Sequence, residues 1–248
     1  MTGGLSGIGL ATARRFAKDG MTVFVGTRGA KDADHARKIL GTDADRITAR
    51  ALDVQSPDSA NAFVADVVAT TGRVDILVNA AGVYEEAAVI DHPEDVWQDH
   101  IDINLSGSFR MIRAVMPLMK KAGWGRIINI ASVAAHNGMP NNAAYCASKA
   151  GLLGLGRCVS LEGADHGITC VSISPTWVET EMLRRFIDAD VASTGQTLEE
   201  VRAEYAKSNP QNQLVQPSEV AELAAFLASD AARALTMEDY QINAGALW

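Results

Sequence analysis

Two side chains four residues apart, Tyr145 and Lys149, carry the clearest chemical signal in this 248-residue sequence. The small residues from Ala143 to Gly151 suit a tightly packed helix, and the four-residue spacing places both side chains on one helix face. A free phenol titrates near ~10. A nearby ammonium is expected to lower that pKa toward the range in which a general acid or base works best. The spacing therefore predicts a proton-transfer pair.

A hydroxyl group is expected to join this pair from the preceding strand. The apolar run Arg126–Ile130 predicts a buried strand that ends just before Ser132. Ser132 would then hold a carbonyl oxygen while Tyr145 protonates it. A tyrosine and a lysine at this spacing also occur by chance in many helices. The surrounding motifs are therefore needed to tell a catalytic pair from a chance occurrence.

A glycine-rich turn opens the chain. Its small residues permit a tight turn and close approach of the backbone to a pyrophosphate, which would lie at the N-terminus of a helix predicted from Leu10 to Lys18. A plain glycine-rich turn is the alternative, since no strand precedes it. The glycines concerned are Gly3, Gly7 and Gly9.

The end of the next predicted strand, Met21–Arg28, lies about twenty residues past this turn, where a dinucleotide site reads the adenosine ribose. Thr27 and Arg28 occupy this corner, and no carboxylate is placed there to accept from a 2′-hydroxyl. An arginine suits a 2′-phosphate. The sequence therefore favours NADP(H), with NAD less favoured and a solvated surface arginine as the alternative.

Together these motifs resemble the short-chain dehydrogenase/reductase family over essentially the whole chain. The resemblance implies hydride transfer between NADP(H) and a ketone or a secondary alcohol. It assigns catalytic roles to Asn104, Ser132, Tyr145 and Lys149, with Asn104 holding a water that extends the proton relay and Lys149 gripping the nicotinamide ribose. The cofactor contacts that it implies are Gly3, Ser6, Gly7, Ile8, Gly9, Arg28, Asp53, Val54, Asn79, Gly82, Tyr145, Lys149, Pro175, Val178 and Thr180.

The sequence departs from the family pattern at two loops. Ala80 stands where the family shows a second Asn, and Thr176 replaces a glycine beside the expected nicotinamide position. The departure at Thr176 leaves the conformation of that loop open.

Strands and helices alternate along the chain, which predicts an α/β fold with a doubly wound parallel sheet in three layers, as in Rossmann-like proteins. We expect a single domain over residues 1–248, with a substrate lid at about 182–214. Met1 directly precedes the glycine turn, where the fold demands an apolar strand of about five or six residues. We therefore expect six strands rather than seven, a gap or an edge at the centre of the sheet, and a chain clipped at its N-terminus.

The substrate signals point in two directions. The lid and Arg28 resemble aromatic polyketide ketoreductases, although Tyr84 begins a stretch where those enzymes carry a Pro-Gly-Gly turn. The 3-hydroxybutyrate dehydrogenases place His two residues after the serine and Gln in the loop that holds Tyr84, whereas this chain has Ala134 at the first position. Apolar side chains favour a moderately bulky or cyclic ketone over a sugar, with ordinary packing as the alternative. The predicted substrate contacts are Ser132, Tyr145, Tyr84, Met139, Trp177 and Met182.

Two further functions are compatible with these residues. The first is an NAD-dependent dehydrogenase of 3-hydroxyacids or cyclic alcohols. The second is a dinucleotide-binding sensor or scaffold without turnover, although such proteins typically lose the tyrosine or lysine that this chain retains.

The composition of the chain limits the kinds of partner that it can bind. The net charge of −8 argues against nucleic acid or an acidic membrane as a partner. No run of ~18 apolar residues supports a membrane span, and neither the three cysteines nor the five histidines show metal-site spacing. We expect a cytoplasmic protein without a catalytic metal. We also expect a homotetramer or homodimer, as the family usually forms, in which Ala147, Gly151 and Gly154 let helices approach closely.

Overall fold

The computed structural model describes residues 1–28 and 33–246. Within these ranges the chain forms six strands: β1 Val23–Thr27, β2 Ile47–Ala51, β3 Ile76–Asn79, β4 Gly125–Ile130, β5 Ile168–Pro175 and β6 Asp239–Ile242. The α-helices are α1 Gly7–Lys18, α2 Ala33–Leu40, α3 Pro57–Thr71, α4 Glu94–Asp99, α5 Gly107–Ala122, α6 Ala143–Gly163, α7 Glu181–Thr194, α8 Leu198–Lys207 and α9 Pro217–Ala228.

All strand pairs are parallel, and the strands are covered by helices on both faces. β1 pairs with β2, and β3 to β6 follow one another in chain order. One apolar cluster joins α1 and α9 to one face of the sheet, and a second joins α3 and α5 to the other face. The predicted α/β fold, with a doubly wound parallel sheet in three layers, is confirmed.

The centre of the sheet shows the predicted gap. Between β1 and β3, the described residues provide only the first few of the chain, and Thr2 alone bridges to Gly26 on one side and to Asn79 on the other. The six strands therefore form a pair and a group of four that meet at Thr2. A cavity of about 360 Å³ lies beside this junction.

Element boundaries differ from the predicted ones where tertiary contacts decide them. The predicted helix Leu10–Lys18 begins earlier, at Gly7, because the glycine turn leads directly into it. The predicted strand Met21–Arg28 pairs only over Val23–Thr27, where β2 offers partners.

The region predicted as the lid folds as the two helices α7 and α8, which share a small apolar cluster of their own. Thr180 caps α7 by accepting a hydrogen bond from the Leu183 amide. Thr197 and Glu200 form a reciprocal capping box at the start of α8. Local signals thus fix both helix starts. Within the described ranges, no helix is both long enough and apolar enough to cross a membrane.

The small residues of α6 are used differently from the prediction for subunit contacts. A side chain at Gly151 would meet Leu105 of the same chain, with its Cβ 2.8 Å from the leucine Cδ2. Gly151 therefore allows packing within the chain. A side chain at Gly154 would meet no described atom within 4 Å, so that position stays available to a second subunit, and the oligomeric state stays a prediction.

Candidate active site

The carboxyl end of β4 delivers a hydroxyl group to the start of α6. Ser132 follows the buried strand directly and begins a short helical turn, where its Oγ accepts a hydrogen bond from the Ala134 amide at 3.1 Å. Tyr145 lies in the first turn of α6, where the Ser132 side chain is close enough to act on the pKa of its hydroxyl. Strand and helix thus bring together two hydroxyl groups that are thirteen positions apart in the sequence.

Lys149 lies one turn further along α6, on the same face as Tyr145. Its side chain is buried, and Nζ lies 5.5 Å from the centroid of the tyrosine ring. Nζ donates a hydrogen bond of 2.8 Å to the carbonyl oxygen of Ile130. Burial lowers the pKa of Lys149 to about 8, because the charged form loses its hydration.

The structure corrects the predicted pKa of Tyr145. Burial raises the pKa of the phenol to about 12, and the hydrogen bond with Ser132 acts in the opposite direction. The lysine was expected to dominate, but its ammonium is directed at Ile130 rather than at the phenol oxygen. Tyr145 is therefore fully protonated at neutral pH, which suits a proton donor.

Asn104 lies in a π-helical segment, His100–Ser106, between α4 and α5. Its side chain is buried and clamps the backbone of Val83: Oδ1 accepts from the amide at 2.8 Å, and Nδ2 donates to the carbonyl oxygen at 3.1 Å. Nδ2 also donates to Ser148 Oγ. π-Helical turns frequently occur at functional sites. This turn fixes the loop that follows β3 against the helix of Tyr145.

Ser132, Tyr145 and Lys149 line a cavity of about 170 Å³. All six side chains predicted to contact substrate line it. Sequence reasoning missed further apolar lining from Val83, Leu183 and Phe186. The signal for the last two was present, since Leu183 and Phe186 fall on the same face of α7 near the predicted contact Met182.

Aromatic rings form one wall of this cavity. The ring of Tyr84 packs edge-on against Tyr145 and against Phe186, with centroid distances of 4.7 Å in both pairs. Its hydroxyl donates to Glu86 Oε1 at 2.7 Å. His100 holds the loop in place, because its Nε2 accepts from the Glu85 amide at 3.1 Å. Tyr84, in the loop after β3, therefore contacts both the helix of Tyr145 and α7.

The glycine turn has the shape needed for a dinucleotide. Gly3 and Gly7 have φ values of +65° and +47°, a region that favours glycine. A Cβ on Gly9 would lie 2.2 Å from the carbonyl oxygen of Gly3. Ser6 makes no side-chain cap, and the first turn of α1 holds no acidic residue. Its amides can therefore receive an anion, so these residues fit the pyrophosphate of a nicotinamide dinucleotide.

The remaining predicted cofactor residues fall into two groups. One group borders the cavity beside Tyr145 and Lys149: Ile8, Gly82, Pro175, Val178 and Thr180.

The second group lies away from the cavity. Arg28 is exposed at the end of β1, and the carboxylate of Asp53 accepts from the Gln55 amide. Two side chains turn inward, contrary to a contact role: Val54 is buried in an apolar cluster, and Asn79 donates to Asn129 Oδ1 at 2.9 Å. The side chains at these two positions are therefore directed into the interior.

Comparison with known proteins gives consistent matches along the whole chain. The family described as enoyl-(acyl carrier protein) reductase matches residues 3–246. A putative ketoacyl reductase of the monensin polyketide synthase from Streptomyces virginiae is 38% identical over 247 residues, covering 99% of this chain and 95% of that protein. A D-beta-hydroxybutyrate dehydrogenase from Rhizobium meliloti is 37% identical, with coverages of 99% and 96%.

Solved structures agree with the sequence matches. A crystal structure of a variant actinorhodin polyketide ketoreductase with NADPH superposes with a TM-score of 0.93 at 37% identity, covering 99% of this chain and 95% of that one. ElxO with NADP bound superposes with a TM-score of 0.90 at 25% identity, with coverages of 99% and 96%.

Proposed function

We propose that this chain, which belongs to the short-chain dehydrogenase/reductase family of oxidoreductases, is an NADPH-dependent ketoreductase for moderately bulky or cyclic apolar ketones. One observation carries the proposal: Ser132, Tyr145 and Lys149 meet at a cavity whose other walls are largely apolar. Similarity to two ketoreductases, one of them bound to NADPH, also supports the reduction of a ketone.

The residues divide the reaction between them. NADPH supplies the hydride that reduces the carbonyl carbon. The hydroxyl groups of Ser132 and Tyr145 hold the carbonyl oxygen, and Tyr145 gives it a proton as the alcohol forms. Lys149 Nζ lies 5.5 Å from the tyrosine ring and donates to Ile130 while the phenol is neutral. Its ammonium would turn to stabilise the phenolate that remains once the proton has left. Asn104 keeps the loop at Val83 in place, and the resemblance to the family assigns it a relay water as well. The reverse oxidation uses the same groups.

A 3-hydroxyacid dehydrogenase is the second candidate, because a D-beta-hydroxybutyrate dehydrogenase is almost as similar as the ketoreductases. Such a substrate carries a carboxylate, which needs a cation or several donors when it is buried. Among the described residues that line the cavity, Lys149 supplies the positive charge, and it is already engaged by Ile130. The position two residues after Ser132 is Ala134 and offers no donor from its side chain. The cavity therefore favours an apolar ketone.

A substrate panel tests the proposed function. Cyclic and aryl ketones, short linear ketones, acetoacetate and ketose sugars are each incubated with the protein and NADPH, and the absorbance of the reduced nicotinamide is followed. We expect turnover of the cyclic and aryl ketones, with kcat/KM at least ~100-fold above that for the sugars. Preferred turnover of acetoacetate would identify a 3-hydroxyacid dehydrogenase. NADPH binding without turnover of any ketone would indicate a sensor.

Coenzyme preference is expected to follow Arg28, which is exposed at the corner where a 2′-phosphate would lie. We expect NADPH to bind at least ~10-fold more tightly than NADH, since an arginine forms charge-assisted hydrogen bonds with a phosphate. Thr27→Asp combined with Arg28→Ala should erase or reverse this preference, as measured by the quenching of protein fluorescence. Arg113→Ala, which removes an exposed arginine from α5, serves as the control. Equal affinities for both coenzymes in the unaltered protein would contradict the assignment.

The rate of reduction is expected to fall as the pH rises through about 8. Lys149 has a lowered pKa of about 8, so its side chain is charged below this pH and neutral above it. The neutral form no longer stabilises the phenolate that Tyr145 becomes when it gives up its proton. A profile of kcat from pH 6 to ~10 should therefore show a descending limb near ~8. Lys149→Arg keeps the charge and should move this limb to higher pH; a flat profile over this range would argue against the role of Lys149.

A further inference from the structure

Thr176, which replaces a glycine of the family pattern, has a specific partner in the structure. Its backbone lies outside the left-handed region that favours glycine, and its amide donates to the Ile242 carbonyl oxygen at 3.2 Å. The position therefore accepts a side chain. Thr176 Oγ1 donates a hydrogen bond of 3.0 Å to Oδ1 of Asn209, a buried residue whose Nδ2 donates to the Gln213 carbonyl oxygen at 2.8 Å.

The residues after Thr176 contact the lid helix α8. The ring of Trp177 packs edge-on against the ring of Tyr205, with 5.0 Å between the centroids. The Glu179 carboxylate accepts two hydrogen bonds from the Arg202 guanidinium, one from Nε at 2.9 Å and one from Nη2 at 2.7 Å. Two bonds of this kind fix the relative orientation of both side chains better than one bond does.

The three contacts use one face of α8. Arg202 and Tyr205 lie three positions apart on the helix, and Asn209 follows four positions later. The Asn209 amide donates to the Ala206 carbonyl oxygen, so the helical turn continues to this residue. Residues at these spacings share a face. The segment 176–179, which we call the stem, therefore runs along this face with its own residues in the reverse order.

The stem also pairs with the segment through which the chain leaves the lid. The Glu179 amide donates to the Val215 carbonyl oxygen at 2.9 Å, and the Val215 amide donates to the Trp177 carbonyl oxygen at 3.0 Å. Gln216 Nε2 adds a hydrogen bond of 2.9 Å to Glu179 Oε2. All of these bonds join groups of this chain, so they need neither coenzyme nor substrate to form.

The position of α8 is passed on to α7, which lies against the cavity. The Tyr205 hydroxyl donates to Asp190 Oδ2 at 2.8 Å, and the two helices share an apolar cluster. From α7, Leu183 and Phe186 line the cavity. The width of the cavity on the lid side therefore depends on where the stem holds α8.

We propose that Thr176, Trp177 and Glu179 are positioning residues, which hold α8 against the stem and thereby set the size of the ketone that the cavity admits. The preference for ketone size rests on the proposed function, whereas the docking of α8 does not. Ser132 and Tyr145 lie outside the lid. Release of α8 should therefore weaken the binding of the ketone more than it slows proton transfer.

Two arginine variants of the lid test the docking of α8. Arg202→Ala removes the ion pair with the stem, and the control Arg184→Ala removes an arginine whose ion pair, with Asp188, lies within α7. Hydrogen exchange is measured on the protein without coenzyme. We expect the amides of α8 to exchange at least ~10-fold faster in Arg202→Ala and less than ~twofold faster in the control. The amides of α5 should not change in either variant, which shows that the rest of the fold is intact.

A second pair of variants tests the hydroxyl of Thr176. Thr176→Val keeps the branched shape and removes the hydrogen bond to Asn209, whereas Thr176→Ser keeps the hydroxyl. We expect exchange in the last turn of α8 to be at least ~3-fold faster in the valine variant and to return to the unaltered rate in the serine variant. Equal exchange in these two variants would overturn the role of the hydroxyl.

Kinetics test the effect of the stem on the ketone. Arg202→Ala should raise KM for cyclic ketones by ~10-fold with kcat within ~twofold, and should reduce the preference for them over short linear ketones. A fall in kcat with an unchanged KM would overturn this effect. Unchanged exchange of α8 in Arg202→Ala, or the same acceleration in Arg184→Ala, would overturn the docking. If no ketone were reduced, the proposed function would fail, and the exchange rates would still decide whether the stem holds α8.

Discussion

Replacing Tyr145 with Phe is expected to lower kcat for ketone reduction by ~10²-fold or more while NADPH binding changes by less than about twofold. The substitution removes the proton donor but keeps the ring, which packs edge-on against Tyr84. Because the phenol has a raised pKa of about 12, it is protonated throughout the physiological range and can act as the acid at every turnover. Without it, the oxygen of the developing alkoxide is left with the Ser132 hydroxyl alone.

The matched control is Tyr84→Phe. This change also removes one phenol hydroxyl from the wall of the same cavity, but that hydroxyl donates to Glu86. We expect kcat to change by less than about fivefold in this variant. Single-turnover absorbance measurements and coenzyme titrations on both variants separate chemistry from binding. Similar losses in both variants, or full activity in Tyr145→Phe, would contradict the assignment of Tyr145 as the proton donor.

Local patterns in the sequence were enough to predict the fold and to predict that Ser132, Tyr145 and Lys149 lie close together. The alternation of apolar strands and helices predicts a parallel sheet, and parallel strands place their carboxyl ends at one edge. That geometry brings Ser132, which follows β4, toward the helix that carries Tyr145 and Lys149.

Properties that depend on distant packing could not be predicted in this way. The direction of the Lys149 ammonium is set by the Ile130 carbonyl oxygen, nineteen positions away, so the spacing between Tyr145 and Lys149 overstated their coupling. Asparagine is a poor helix former, and the local sequence does not indicate the conformation around Asn104. Its π-helical turn is explained only by the clamp on Val83, which belongs to another loop. Spacing along a helix fixes which residues share a face, whereas the partners of buried polar atoms come from the whole fold.

Close packing at the glycine turn leads us to expect a large effect for Gly9→Ala. The added Cβ would lie 2.2 Å from the carbonyl oxygen of Gly3 and 2.9 Å from its carbonyl carbon. Gly3 cannot move aside easily. Its amide donates to the Gly26 carbonyl oxygen at 2.9 Å, and a Cβ built on Gly3 would lie only 2.9 Å from the Ala80 carbonyl oxygen. The helix start must therefore shift away from the turn. We expect the free energy of unfolding to fall by roughly 2–4 kcal/mol, since overpacking against backbone has no flexible atom to relieve it.

Gly9→Ala should also lower the affinity for NADPH, because the amides that are proposed to bind the phosphates belong to the displaced turn. We expect a loss of at least ~50-fold in Kd, measured by titration at a temperature where the variant is still folded, with the unfolding free energy taken from urea denaturation. Gly138→Ala is the control: an added Cβ there meets no described atom within 4 Å and the backbone is not in the left-handed region, so stability should change by less than ~0.5 kcal/mol. If Gly9→Ala bound NADPH as tightly as the unaltered chain, the phosphate site would have to lie elsewhere than at the N-terminus of α1.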